Sequence, residues 1–169
     1  MIRTSLLILI VLFFSSCIGP REYTPVTYYD LGIAEFNNLS LNIGSIVQDG
    51  PYKSRMVHRV EAGKLAINES KRWTLAPDLM LTHYLKKCFK PGGKYTLNGE
   101  IITFENEQVN NQAVFTFHYT IAENGRVLYT GFFKKTKHAE FEAESFADSM
   151  GKMAKELTKE IAEQVKLLK

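Results

Sequence analysis

The sequence is poor in cysteine, in net charge and in long apolar runs, and each shortage excludes a class of protein. Two cysteines, Cys17 and Cys88, are too few for a disulfide framework. A formal net charge of +3 is too weak a bias to indicate nucleic acid as a partner. The apolar run from Leu6 to Phe14 is too short to span roughly 30 Å of hydrocarbon, which takes about 20 residues. The domain must therefore be held together by its own core, for which a hydrophobic content of 45% is ample.

Motifs for catalysis and for metal binding are also lacking. The four histidines, His58, His83, His118 and His138, stand at no metal-ligand spacing with one another, with a cysteine or with a carboxylate. There is no Gly-x-Ser-x-Gly nucleophile elbow. The Pro-Gly-Gly-Lys string at 91–94 lacks the Gly-Lys-Ser/Thr arrangement of a phosphate loop and is predicted to end a helix. We therefore predict no catalytic residue, no metal and no cofactor.

The N-terminus carries the most specific signal in the chain. Arg3 precedes the apolar run, and the small residues Ser15 and Ser16 come directly before Cys17. This order is typical of an export signal, and the string Phe-Ser-Ser-Cys at 14–17 resembles a bacterial lipobox. In a lipobox the cysteine thiol receives diacylglycerol, and the amine freed by cleavage receives a further acyl chain such as palmitate. Stable anchoring takes more than one chain, and a triacylated Cys17 meets that condition.

These features divide the chain into three segments. Residues 1–16 are predicted to be a lipoprotein signal peptide, 17–26 a lipidated tether and 27–169 the domain. A plain secretory signal with an incidental cysteine and an uncleaved transmembrane anchor are the alternatives. Ile18 stands where an aspartate would retain such a protein in the inner membrane of enterobacteria, so attachment to the outer membrane, facing the periplasm, is favoured.

Hydrophobic periodicity predicts the secondary structure. Alternation of apolar and polar residues predicts strands over 27–31, 39–47, 55–61, 64–68, 95–104, 113–122 and 126–135. Helical spacing predicts one helix over 74–90 and a long amphipathic helix over 145–168. The polar stretches 69–73 and 105–112 are predicted to be a linker and an exposed loop. The sum is an α+β domain, a mostly antiparallel sheet with two helices packed on one face in two layers.

The same periodicity predicts which side chains enter the core. Phe115 belongs to the apolar face of the middle strand of the C-terminal meander. Cys88 lies on the apolar face of the first helix, which predicts a buried thiol. In the strand over 39–47, alternation places Leu41 and Ile43 on one side and Ile46 on the other.

Several segments behind Cys17 follow one another in an order known from one family. They are Tyr28-Tyr29-Asp30-Leu31, the strand from Leu41 to Val47, Pro51-Tyr52 with Met56-Val57-x-Arg59, Arg72-Trp73 with Pro77, the strand from Tyr95 to Phe104, and the closing amphipathic helix. Together they resemble the ABC-type transport auxiliary lipoproteins, the PqiC-like or YmbA-like group. The chain departs from the family pattern at Lys53-Ser54, where Leu-Asp is frequent, and at Thr74-Leu75.

The resemblance implies an accessory subunit and not an enzyme. Such lipoproteins face the periplasm and work with a mammalian-cell-entry (MCE) domain protein and an ABC permease and ATPase in lipid transport between the inner and outer membranes. Their role would be to dock the assembly or to support lipid transfer. Tyr52, Arg59 and Trp73 are the candidate docking or structural residues, because Tyr, Arg and Trp are enriched at interface hot spots. Phospholipid and a second copy of the chain are further candidate partners.

Two other functions remain open at this point. An outer-membrane assembly lipoprotein of the lipopolysaccharide-assembly type, which plugs or chaperones a β-barrel, also has an α+β fold with two helices. A tethered binding protein or hydrolase would require a convergent polar pocket with perturbed titratable groups. Neighbouring genes for a permease, an ATPase and an MCE protein would favour lipid transport.

Overall fold

The computed structural model describes residues 24–168. The predicted signal peptide, Cys17 and the tether up to residue 23 lie outside the described residues. The elements, in chain order, are β1 (Thr27–Tyr29), β2 (Asn37–Ser40), β3 (Asn42–Gln48), β4 (Arg55–Glu61), β5 (Lys64–Trp73), α1 (Pro77–Cys88), β6 (Phe89–Lys90), β7 (Tyr95–Glu107), β8 (Gln112–Glu123), β9 (Arg126–His138) and α2 (Ala143–Leu167). The predicted α+β class is confirmed.

The sheet is built around β7, the third strand from one edge. In the part of the chain that the structure describes, seven strands form one sheet in the order β1-β5-β4-β7-β8-β9, with β3 also paired to β7. One edge of β7 pairs with β8 along its whole length, antiparallel. Its other edge is shared: the first half takes β3 and the last residues take β4, both in parallel. Most of the ladder is antiparallel, as the alternation predicts.

Both helices lie on one face of this sheet. Pro77 opens α1 at a position where its missing N–H is harmless, and α1 packs mainly on β3. The longer α2 packs on β8 and β9, and the helices meet where the Thr158 hydroxyl lies 3.8 Å from the Cys88 sulfur. The predicted burial of Cys88 and Phe115 is confirmed, since neither is exposed. The core is therefore a single layer of side chains between sheet and helices.

The predicted strand over 39–47 is wrong in two respects. The chain breaks at Leu41 into β2, which pairs with β6 in a small second sheet, and β3 in the large one. Within β3 the register shifts between Ile43 and Ile46. Such a bulge inserts one residue and reverses which side chains face inward, so Leu41 and Ile46 are both buried. Gly44 fits this bulge because a Cβ there would lie 2.3 Å from the Asn98 side-chain oxygen.

The stretch 69–73, predicted to be a linker, belongs to a strand, and the predicted loop over 105–112 is confirmed only for 108–111. Residues 69–73 complete β5 and pair with β1, and β7 continues through Glu105 and Asn106 to Glu107. Glu105 and Asn106 are buried, with exposures of 3% and 1%. The predicted helix over 74–90 is also shorter, because Phe89 and Lys90 leave it to form β6. The buried polar residues Glu105 and Asn106 are therefore candidates for a functional site.

Candidate functional site

A buried carboxylate on β7 organises a polar cluster on the sheet face that lies opposite the helices. Phe104 points into the core, so Glu105, the next residue, points to the other face. Its two oxygens accept a bidentate pair of hydrogen bonds from Arg59, at 2.5 Å from Nε and 3.0 Å from Nη2. The Tyr52 hydroxyl donates to the same carboxylate at 3.4 Å. We call these three residues the Glu105 cluster.

Different segments position the three side chains. Glu105 and Arg59 lie on β7 and β4, which pair side by side at this level of the sheet. Tyr52 comes from the loop between β3 and β4. That loop turns at Gly50, whose φ of +114° is a conformation that side-chain-bearing residues rarely adopt. Tyr52 is 5% exposed, so its hydroxyl meets the carboxylate away from solvent.

The cluster combines a buried anion with a cation at its rim. The Glu105 side chain is 4% exposed, whereas that of Arg59 is 32% exposed. The hydrogen bond to Glu105 raises the pKa of Arg59 above its usual value, so the guanidinium stays charged. Burial, and next the charge of Glu105, raise the pKa of Tyr52, so its hydroxyl stays protonated and able to donate. The arrangement fixes a guanidinium at the surface and suits recognition of a partner more than proton transfer.

The third predicted residue, Trp73, lies elsewhere. It is completely buried in the core and packs edge-on against Phe104 and Phe146, with ring centroids 5.3 Å away in each case. The structure therefore brings Tyr52 and Arg59 together and gives Trp73 a structural position. Sequence reasoning missed Glu105, which it assigned to an exposed loop. The register of β7 shifts between Ile101 and Thr103, so alternation counted from Leu97 would place Glu105 on the core side.

A second polar group is buried on the helix side of β4. His58 is 2% exposed and packs between the rings of Phe141 and Phe146, at centroid distances of 5.2 and 6.1 Å. Neither ring nitrogen has a hydrogen-bond partner among the described residues. Burial lowers the pKa of His58 below its usual value. Beside it, the Asn106 amide donates to the Glu140 carbonyl at 2.9 Å, which ties the chain before α2 to the sheet.

The remaining features of residues 24–168 concern metal binding, cavities and membrane spanning. No group of three or more His, Cys, Asp or Glu side chains there is placed to hold a metal ion. A depression of about 460 Å³ that is open to solvent lies beside α2 and is lined in part by Tyr29, Asp148 and Lys152. Over the same residues, neither helix combines the length and the apolar character needed to cross a bilayer.

Comparisons with known proteins support the fold. No family model and no curated protein matches the chain. A crystal structure of an uncharacterized protein is 13% identical with a TM-score of 0.73, covering 83% of this chain and 99% of its own. A Xanthomonas campestris protein described with the family model DUF330 is 14% identical with a TM-score of 0.63, covering 85% and 86%. A PelC dodecamer from Paraburkholderia phytofirmans is 12% identical, covering 73% and 90%, but its TM-score of 0.37 is too low to support an argument. The chain shares its fold with the first two.

Proposed function

We propose that the protein is a lipid-anchored accessory subunit of an ABC-type, MCE-linked lipid transport system, facing the periplasm from the outer membrane. The lipobox-like string that ends at Cys17 supports the anchor. The ordered segments that resemble the auxiliary lipoproteins support the transport system. The observation that carries a docking role is the guanidinium of Arg59, held by buried Glu105 on the sheet face opposite the helices.

The Arg59 guanidinium is preorganised for binding, because Glu105 already holds it in one position. Arginine loses conformational freedom when it enters an interface, and that loss weakens association. Here the bidentate bond to Glu105 has already fixed the side chain, while 32% of it remains in contact with solvent. The planar guanidinium of Arg59 still has N–H groups that can donate hydrogen bonds to acceptors of a partner. Carbonyl or carboxylate oxygens at the rim of a partner would complement it.

The same sheet face offers apolar contacts at a distance from the Glu105 cluster. One cross-strand row consists of Val47, Glu100, His118 and Phe132, which are direct register partners across four strands. Phe132 is 62% exposed and Val47 48% exposed. Aromatic residues and arginine are enriched at protein interfaces, whose rims are polar. We assign partner docking to this outer sheet face.

The proposal is tested by purification from the native envelope in mild detergent, followed by mass spectrometry. The wild-type protein should bring with it an MCE-domain protein and a permease or ATPase. Arg59→Met combined with Glu105→Gln, which removes both charges together, should reduce that recovery. Arg126→Met, which removes an exposed arginine at the β8–β9 turn, is the matched control and should not. Recovery of no MCE or permease component with the wild-type protein would refute the proposal.

The same preparation distinguishes the alternatives. Recovery of an outer-membrane β-barrel in place of the transport components would support the assembly-lipoprotein function instead. Lipid extraction and the mass of the intact complex test the two further candidate partners, phospholipid and a second copy of the chain. A tethered hydrolase would be supported by turnover of an ester or glycoside substrate panel by the purified protein.

A further inference from the structure

The segment between β1 and β2, residues 30–36, packs against both helices. Gly151 of α2 touches it so closely that a Cβ there would lie 2.7 Å from the Leu31 carbonyl oxygen. Further along, Glu35 forms an ion pair with Lys155 of α2. The segment also shares small depressions with Tyr84 of α1. It is therefore fixed to the helix layer and is not a free loop.

This fixed segment exposes two large apolar side chains. Ile33 is 95% exposed and Phe36 is 62% exposed. The turn before Ile33 is ordered, because the Gly32 amide donates to the Asp30 carboxylate at 2.8 Å and Gly32 adopts a φ of +76°. Holding an apolar side chain in water on a rigid turn gains nothing within the described domain. We call Ile33 and Phe36 the apolar tip.

Lysines surround the apolar tip. The Lys90 amine lies 6.0 Å from the centre of the Phe36 ring. Four more lysines line the depressions that contain the segment, namely Lys87, Lys152, Lys155 and Lys159. The carboxylates there are Asp30, Glu35 and Asp148. Lys152 and Lys155 form ion pairs with Asp148 and Glu35. The other three lysines against Asp30 leave this surface with an excess of two positive charges. Apolar side chains within a basic rim are typical of surfaces that lie in the headgroup region of anionic bilayers.

The predicted anchor lies close enough to bring this surface to a membrane. Nine residues separate Cys17 from Thr27, the first residue of β1, and the ten steps from Cα to Cα reach at most about 35 Å. A tether of that length makes surface binding effectively intramolecular, so weak contacts suffice. The helix layer and the outer sheet face are opposite sides of the domain. If the apolar tip lies on the bilayer, the Glu105 cluster faces away from it.

We propose that the apolar tip and its lysine rim rest on an anionic lipid bilayer and thereby turn the outer sheet face towards the periplasm. The inference deepens the proposed function, because it gives the anchored domain a fixed orientation from which a partner is docked. Ile33 and Phe36 insert among the headgroups, and the lysines contact lipid phosphates. The occupant is a bilayer surface and not a protein.

The test uses the full mature chain from residue 17, with Cys17→Ser in order to remove any acyl chain. Binding to vesicles of phosphatidylglycerol and phosphatidylethanolamine is compared with binding to phosphatidylcholine vesicles by flotation. Phe36→Ser should weaken binding to the anionic vesicles at least about tenfold, because it removes an apolar ring from the interface. Phe132→Ser is the matched control, since Phe132 is equally exposed, at 62%, on the opposite face. It should bind like the unsubstituted protein.

A tryptophan reporter locates the contact. Emission from Ile33→Trp should be quenched by brominated phosphatidylglycerol, and that from Phe132→Trp should not; Trp73 is buried and common to both. Equal losses for Phe36→Ser and Phe132→Ser, equal quenching at both positions, or equal binding to neutral and anionic vesicles would overturn the proposal. A concentration-dependent blue shift of Ile33→Trp without vesicles would assign the surface to a second copy instead. Because the acyl chains and the partner are absent, failure of the anchor or of the transport function leaves this result unaffected.

Discussion

Breaking the ion pair of the Glu105 cluster from one side should destabilise the domain strongly. Arg59→Met keeps the aliphatic stem but leaves the carboxylate of Glu105, whose side chain is 4% exposed, without its cation. Removing one partner of a buried pair costs about 3–5 kcal/mol. Because the Arg59 side chain is 32% exposed, water replaces part of the lost interaction. We therefore expect a loss of about 2–3 kcal/mol in the free energy of unfolding.

Removing both charges should cost much less than removing one. Arg59→Met with Glu105→Gln leaves a neutral amide that still accepts the hydrogen bond from the Tyr52 hydroxyl. Replacing a buried pair by uncharged groups of similar volume is often close to neutral, so we expect a loss below about 1 kcal/mol. The double variant should thus be more stable than Arg59→Met alone. If the two substitutions acted independently and their losses added, the double variant would instead be less stable than Arg59→Met alone.

Urea unfolding followed by circular dichroism measures these differences. The wild-type protein and the variants Arg59→Met, Glu105→Gln and the double variant form a cycle, with free energies obtained by linear extrapolation. A loss under about 1 kcal/mol for Arg59→Met, or additive losses in the double variant, would refute the view that Glu105 is a buried anion balanced by Arg59. A variant whose free energy of unfolding depends on urea concentration with a different slope has a state of altered compactness, and it would be left out of the cycle.

Three further predictions concern other parts of the molecule. Burial lowers the pKa of His58, so as the pH falls the unfolded chain takes up a proton at this position before the folded protein does. The free energy of unfolding should therefore fall as the pH drops below about 6.5. Urea unfolding between acidic and neutral pH measures this dependence, and His58→Leu should remove it. Gly131→Ala should lower the melting temperature, because its Cβ would lie 2.3 Å from the Tyr119 ring; overpacking costs about 1–3 kcal/mol, and an unchanged temperature would mean that the ring moves freely. Cys17→Ala should yield an unprocessed or soluble product in cell fractionation, and unchanged membrane attachment would rule out the lipobox.

Periodicity was sufficient where local pattern and packing agree. The alternation around Phe115 and the helical spacing that includes Cys88 predicted side chains that the structure buries. It failed in β3, because the bulge there depends on Asn98, whose side-chain oxygen accepts the Ser45 amide at 2.9 Å from a strand more than fifty residues away. No local pattern contains that partner.

The site was predicted in part for a similar reason. Tyr52 and Arg59 were selected by residue type, and the structure joins them. Glu105 was assigned to an exposed loop because the stretch 105–112 is polar and rich in asparagine. A carboxylate is buried in a strand only when a partner from elsewhere in the chain neutralises it. Arg59 provides that cation from β4, at a distance along the sequence that periodicity does not cover. Trp73 was selected by type too, but an aromatic residue of that size is as often a core residue as an interface anchor.

The shared edge of β7 has a consequence for the order in which the protein folds. β7, β8 and β9 form a meander of adjacent hairpins, so their pairing needs only short loops to close. β3 and β4 instead pair with β7 only after roughly fifty further residues have been synthesised, and such distant pairings form slowly. The N-terminal half therefore emerges first and is ordered last. Until β7 is synthesised, the strands of that half present unpaired edges to which other chains, or a chaperone, would bind.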